Sequence, residues 1–318
     1  MPAPPLGLRS GVRALHYEEF GGIEKLKVGE LPDPHIGPDS MLVKVVAAGI
    51  NPVDYKVRQG HLEGLIDAVF PVIPGWDVAG VVVRPGLDTP EYQVGDEILA
   101  YARKDIVHGG TLAELVNVPV RTAAHKPAEL GFDEAAALPL AGLTALQTVR
   151  RSGLAAGMAL LVHGAAGGVG SFGTQLARLA GARVVGTASP ANHDYVRSLG
   201  AEPIEYGDGI EAAARALVPD GFDVILDYVG GSALDSAPAL LRPGGTVVSI
   251  ADGRAASVYG GLAPWVRPDA ADLAELAGLA AAGRLTVTIA GRFDLDHAAD
   301  AYAQLEAGHV RGKLIVRL

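Results

Sequence analysis

The chain has 318 residues, 49% of them hydrophobic, enough to bury a substantial core and long enough for two domains. Its formal charge of -10 comes with acids and bases mixed along the sequence. No basic stripe is available to track a nucleic-acid backbone, and nucleic acid is not expected as a main partner. The absence of cysteine excludes a disulfide framework, a thiolate zinc site and a catalytic thiol.

Met1 to Ser10 carries prolines and an arginine but no apolar run long enough for a secretory signal. It reads as a loose leader, and the default location is cytoplasmic. Up to about Glu134, short β-rich runs at Met41–Ala48, Val78–Val83, Glu97–Ala100 and Thr111–Val116 alternate with Gly and Pro and predict a compact β domain. Within it, Asn51-Pro52-Val53-Asp54 reads as a helix start, with Asn51 as cap and Asp54 near the positive end. From about Ala135, alanine-rich helical segments alternate with buried strands at Ala159–His163, Arg183–Thr187, Val224–Asp227 and Thr246–Ile250, the rhythm of a doubly wound parallel sheet. Ser152 to Ala177 lacks charged residues, but its glycines and His163 break it as a membrane span. The tail, with strands expected at Leu285–Ile289 and Lys313–Leu318 around a helix at Leu295–Glu306, returns to the first pattern. The expected boundaries are therefore 1–136 and 284–318 for a β-rich domain and 137–283 for an α/β domain, with a ligand cleft between them.

Leu160–His163 runs directly into Gly164-Ala165-Ala166-Gly167-Gly168-Val169-Gly170, and Ser171 to Ala180 has helical apolar spacing. In such a unit glycine lets the backbone approach a pyrophosphate, and the helix start offers unpaired N–H donors and a positive dipole end. The alternative is a tight turn without ligand, because Ala165 stands where the commonest dinucleotide fingerprint has its first glycine. About twenty residues on, where an NAD site has an acid for the ribose 2′-hydroxyl, the chain has Thr187-Ala188-Ser189. A neutral Ser189 tilts the choice toward NADPH; its other reading is a cap for the helix beginning near Pro190.

Those segments join Ala48-Gly49-Ile50-Asn51-Pro52-Val53-Asp54, Pro74-Gly75-Trp76-Asp77-Val78-Ala79-Gly80, Pro139-Leu140-Ala141-Gly142-Leu143-Thr144-Ala145-Leu146 and Gly312-Lys313-Leu314-Ile315-Val316. With them the chain, from about Val12 to Leu318, resembles the zinc-free quinone oxidoreductase branch of the medium-chain dehydrogenases/reductases. The resemblance implies a GroES-like β-rich catalytic domain, a Rossmann domain and a homodimer. It also implies a metal-free site, since Asn51 and Trp76 stand where zinc-dependent relatives have cysteine and histidine ligands.

The resemblance sets Asn51 and Tyr55 as catalytic candidates, the amide orienting a carbonyl and the phenol donating a hydrogen bond or proton. For the cofactor it points to Ala166, Gly167, Gly168, Val169 and Gly170 of the loop, and to Thr144, Tyr206, Val229 and Ile250. Ser189, Asn192 and Lys313 complete the set, with Lys313 or Arg311 approaching the 2′-phosphate from the tail. Asn192 stands where related chains often have a lysine. Two bland readings stay open: Thr144 bonding to its own helix, and the Arg254–Arg267 loop as a surface connection or dimer contact rather than a lid. The function implied is hydride transfer from NADPH to a quinone or an α,β-unsaturated carbonyl compound. The competing class is a catalytically weak structural or RNA-binding relative, which the acidic balance argues against.

Overall fold

Strand Ser40–Gly49, almost entirely buried, organises the catalytic half of the molecule. The computed structural model describes residues 11–318, and the leader expected over Met1–Ser10 lies outside the described residues. Along one edge Ser40–Gly49 pairs antiparallel with Asp77–Arg84. Along the other it takes two partners in succession, Leu115–Pro119 against Ser40–Lys44 and Lys313–Arg317 against Ala47–Gly49. Ile289–Asp294 flanks Lys313–Arg317 in parallel, and Glu97–Tyr101 and Ala123–His125 extend the opposite side, completing a seven-stranded sheet. Val12–His16 and Lys27–Leu31 form a separate antiparallel pair.

The second sheet is wholly parallel, in the order Glu202–Ile204, Arg183–Thr187, Ala159–His163, Phe222–Asp227, Leu241–Ser249. Numbered along the chain this is 3-2-1-4-5, the Rossmann order. Successive side chains point to opposite faces. Leu160, Val162, Val224 and Leu226 join Phe172 and Leu176 of helix Gly168–Leu179 and Leu143 and Leu146 of helix Pro139–Arg151 in one core. Leu161, Val185, Ile225 and Val247 join Ala214 of helix Ile210–Leu217 and Leu240 in another. Burial on both faces is why these strands read as continuous apolar runs.

Asp133, in helix Phe132–Ala137 at the crossing between the sheets, accepts from Arg317 Nε at 3.0 Å and Nη2 at 2.5 Å and from Arg292 Nε at 2.6 Å. Bonding to Arg317 first, and then to Arg292, holds its carboxyl below the ordinary range. The exit from the catalytic sheet is thereby tied to the strands of its return.

Two expected strands lie elsewhere. Thr111 and Leu112 donate their N–H groups to the Gly75 and Pro74 carbonyls, so this segment pairs with a loop and the strand spans Leu115–Pro119. Leu285 is buried in the larger core, and Thr286 is held by Gln175, whose Oε1 accepts from Thr286 N at 2.7 Å and whose Nε2 donates to Thr286 O at 3.1 Å. The apolar alternation from Leu285 thus packs on a helix, and the ladder spans Ile289–Asp294.

Gly170 is the tightest point between the first strand and its helix, since a Cβ there would meet Gly164 O at 2.1 Å and Ala165 Cα at 2.9 Å, both backbone. Gly170→Ala is expected to displace the loop, with overpacking costing about 1–3 kcal/mol. Thermal unfolding should show the loss, and NADPH titration a weakened cofactor site.

Candidate active site

The glycine loop starts at Gly164, whose φ of +74° favours glycine and whose Cβ would meet Val229 Cγ2 at 2.9 Å. Gly164 N and Ala165 N donate to Thr187 Oγ1 and O, both at 3.0 Å, and Gly167 N closes the turn on Gly164 O. Helix Gly168–Leu179 then begins without a side-chain cap. Among the described residues, the N–H groups of Gly168, Val169 and Gly170 have no protein acceptor. Three free donors at the positive end of a twelve-residue helix that starts without a side-chain cap fit a pyrophosphate.

Because the sheet is parallel, its five strand ends His163, Thr187, Ile204, Asp227 and Ser249 lie along one edge. Just beyond them stand the loop, Ser189, Tyr206, Val229 and Ile250, the last three with their side chains well exposed. Asp227 fixes this edge: Oδ1 accepts from Val229 N at 3.0 Å and Gly230 N at 2.9 Å, and Oδ2 accepts from Ser249 Oγ at 2.6 Å. Ser249 Oγ in turn accepts from Ala251 N and Asp252 N. His163, fully buried, is driven down to about 4 by burial, with Asp227 opposing, so it is a neutral imidazole between Thr187 and Ser236.

Ser189 caps no backbone N–H of the following turn; its Oγ accepts from Asn192 Nδ2 at 3.1 Å, leaving the hydroxyl hydrogen free. The cation on this side is Arg311, whose guanidinium lies 5.3 Å over the ring of Tyr195 in helix His193–Ser198.

Lys313 is placed differently from expectation. Its ammonium donates to Ile50 O at 2.9 Å and to Asn51 Oδ1, and stands 3.6 Å from Asp77 Oδ2. The approach to the 2′-phosphate is corrected: a buried carboxylate and two carbonyls hold the charge at the catalytic loop. Only the stem belongs to the cofactor side, since a Cβ on Gly168 would lie 3.1 Å from Lys313 Cδ. Gly312 N also donates to Ala166 O at 3.2 Å, docking the returning strand on the glycine loop.

Asn51 heads helix Pro52–Arg58, and its backbone N–H is bound by Asp54 Oδ2 at 2.8 Å. Its side-chain amide is held elsewhere: Nδ2 donates to Asp77 Oδ2 at 2.9 Å, and Oδ1 accepts from Lys313. Asp77 Oδ1 accepts from Leu140 N, at the start of helix Pro139–Arg151, at 2.8 Å. Burial raises the Asp77 carboxyl and lowers the Lys313 ammonium, and their attraction opposes both shifts. Below them Asp54 accepts from Tyr302 OH at 3.2 Å, and burial pushes its carboxyl up to about 7 against the Asn51 N–H, with Asp77 adding to the rise.

Tyr55 does not join this cluster. It is half-buried against the core around Tyr302 and Leu314, and burial together with the Glu306 carboxylate raises its phenol. Tyr55, the other catalytic candidate, comes near helix Ala298–Ala307, which carries Glu306. Thr144 is buried and donates to Leu140 O at 2.6 Å, the self-bonding alternative. Asp77, Asp227 and Tyr302 were not singled out from the sequence. Asp77 opens and Asp227 closes a strand whose central residues are apolar, the available signal; Tyr302 has none, since helical spacing also accounts for a core tyrosine.

Two family models match the chain: alcohol dehydrogenase GroES-like domain over residues 37–128 and zinc-binding dehydrogenase over residues 199–316. A chloroplastic NADPH-dependent alkenal/one oxidoreductase of Arabidopsis thaliana is 36% identical, covering 96% of this chain and 79% of the relative. A chloroplast envelope quinone oxidoreductase homolog of the same plant is 32% identical, covering 96% and 98%. The solved quinone oxidoreductase of Coxiella burnetii superposes with a TM-score of 0.87 at 33% identity, covering 96% of this chain and 99% of that one. Among the described residues no three histidine, aspartate or glutamate side chains group as a metal would require, and no helix is long and apolar enough to cross a membrane.

The Asp54 carboxyl titrates near 3.9 in an unfolded chain and near 7 in the fold, so between those values the native state holds an extra proton. Its contribution to stability is therefore greatest below about pH 4 and is lost as pH rises through about 7, by on the order of a few kcal/mol. Buried His163 gives the opposite slope between about pH 4 and 6.5. The difference between the parent and Asp54→Asn isolates the effect: in urea unfolding the variant should gain stability relative to the parent between pH 5 and 8.

Proposed function

Because the chain belongs to the quinone oxidoreductases of the medium-chain dehydrogenase/reductase family, we propose that Asn51, Asp77 and Lys313 orient and polarise an electron-poor acceptor beside the glycine loop. The protein is an NADPH-dependent oxidoreductase that delivers hydride to a quinone or an α,β-unsaturated carbonyl compound. The observation that carries the assignment of residues is the docking of the returning strand. Gly312 binds the loop at Ala166, the Lys313 stem crosses Gly168, and the Lys313 ammonium ends on Asn51.

When bound, NADPH supplies the hydride. Gly168, Val169 and Gly170 offer their backbone donors to its pyrophosphate, while Ser189 donates to the 2′-phosphate with Arg311 as the nearby cation. Asn51 keeps one amide N–H beyond the one given to Asp77, free to bind the acceptor oxygen as negative charge develops there. The Lys313 ammonium adds positive potential at the same amide. Zinc independence follows in this reading: a fixed ammonium stands beside Asn51, at a position the zinc-dependent relatives give to a metal ligand. Tyr55 is left out, and the proton comes from solvent.

A homodimer in the cytoplasm is part of the same proposal. Val258 and Leu262 are exposed where Leu262 pairs with the outermost strand Leu241–Ser249 of the five-stranded sheet, the face against which a second copy would pack.

Asn51→Ala is expected to lower kcat for enone and quinone acceptors by about 100-fold, the cost of one transition-state donor, while NADPH affinity changes little. Stopped-flow NADPH oxidation on a variant with an unchanged unfolding temperature tests this, and unaltered turnover would return the segment to a plain helix start. Ser189→Asp sets a carboxylate against the 2′-phosphate. The NADPH-to-NADH ratio of kcat/KM should fall by about tenfold or more; no change would remove Ser189 from the cofactor site.

A further inference from the structure

The chain enters strand Ile289–Asp294 through Thr286–Thr288 and strand Lys313–Arg317 through Arg311 and Gly312, and these two arms lie side by side. Lys313 N donates to Thr288 O at 2.9 Å. Gly312, with a φ of +87°, presses on the same carbonyl so closely that a Cβ there would collide with it. Thr288 and Lys313 are therefore in contact without slack, and a displacement of one is passed to the other.

The cofactor half of the molecule grips these arms at three places. Gln175, in helix Gly168–Leu179, binds both main-chain groups of Thr286. Gly312 N donates to Ala166 O of the glycine loop. The third grip is a side chain. Tyr195, in helix His193–Ser198 just after Ser189 and Asn192, donates its hydroxyl to Thr288 Oγ1 at 2.9 Å and lays its ring under the Arg311 guanidinium, 5.3 Å away. Tyr195 thus touches both arms at once. Among the described residues, its hydroxyl and that of Thr288 have only each other as hydrogen-bond partners in the protein.

Beyond the main chain of Lys313 its side chain has little freedom. The stem lies on Gly168, and the ammonium ends on Ile50 O and Asn51 Oδ1, 3.6 Å from Asp77. We propose that Tyr195 is a positioning residue for hydride transfer: through Thr288 its hydroxyl fixes the main chain from which Lys313 reaches Asn51, so that the helix following Ser189 and the acceptor amide form one mechanical unit. This rests on the assignment of Asn51 and Lys313 to the acceptor of an NADPH-dependent reductase. Misplacing a catalytic group by about 1 Å can cost about 100-fold in rate, so the loss of one remote hydrogen bond is readable in turnover.

The test uses the full-length enzyme with NADPH, one enone and one quinone. Tyr195→Phe keeps the ring under Arg311 and removes only the hydroxyl. It should lower kcat by about three- to tenfold, the worth of one hydrogen bond. NADPH affinity and unfolding temperature should change little, since Gln175 and Gly312 still hold the arms. Thr288→Val should act alike, Thr288→Ser should restore most of the rate lost in Thr288→Val, and the double variant Tyr195→Phe/Thr288→Val should lose no more than either single one. A second readout needs neither cofactor nor acceptor. Acylation of Lys313 by an amine-reactive reagent, followed by peptide mass spectrometry, should be faster in Tyr195→Phe than in the parent by about threefold or more, with the exposed Lys56 as internal reference. Unchanged kcat in Tyr195→Phe, losses that add in the double variant, or equal Lys313 labelling overturns the proposal. Failure of the reductase assignment looks different: the parent oxidises no NADPH with any acceptor, and the labelling alone then decides.

Discussion

Lys313 carries its charge into the seam between the two sheets, and most of what positions the chemistry follows from what it takes to keep that charge there. A buried ammonium loses several kcal/mol of hydration unless each N–H finds a partner. Two carbonyls, Ile50 O and Asn51 Oδ1, with Asp77 alongside, meet that demand. These partners lie on the strand end and helix start that follow Ser40–Gly49 and at the head of Asp77–Arg84, so satisfying one side chain fixes the relative places of two strands and a helix cap. The stem, lying on Gly168, links the same arrangement to the cofactor loop, where a Cβ would stand 3.1 Å from Lys313 Cδ.

Three buried acids divide the remaining tasks. Asp227 receives the N–H groups of Val229 and Gly230 and so shapes the loop at the sheet edge. Asp77 fixes the Asn51 amide and takes the first free N–H of the helix that follows the crossing. Asp133 gathers Arg292 and Arg317 at the hinge between the two halves. Each is met by backbone N–H groups, by a side-chain donor or by arginine. Asp54 lacks a cation at contact distance and is the one whose proton is held near neutrality.

The parts legible in the sequence are those whose cause is local. The glycine run Gly164–Gly170 and the apolar strands depend on neighbouring residues or on residue type, and the order of elements follows. Strand ends were less legible. At Thr111–Ala113 the alternation is that of a strand, but its partner is the Pro74–Gly75 turn, a contact no local pattern encodes. Side-chain direction was least legible. Tyr55 lies four residues from Asn51, and the charge that acts on its phenol is Glu306, on a helix near the far end of the chain. Lys313 could be placed near the cofactor, but which of two distant anionic environments would hold its charge depended on the buried Asp77, whose role appears only when the strands are paired.

The lysine and the asparagine that meet at this seam are 262 residues apart, and nearly the whole cofactor domain is strung between them. A contact with such a long loop forms late in folding, because the chain must be largely ordered before its ends can find each other. The parallel sheet from Ala159 to Ser249 is contiguous and can assemble by itself. The catalytic sheet cannot, since Ala47–Gly49 keeps an unpaired edge until Lys313–Arg317 arrives. Closing the catalytic sheet with Lys313–Arg317 and seating Lys313 on Asn51 are therefore one and the same step.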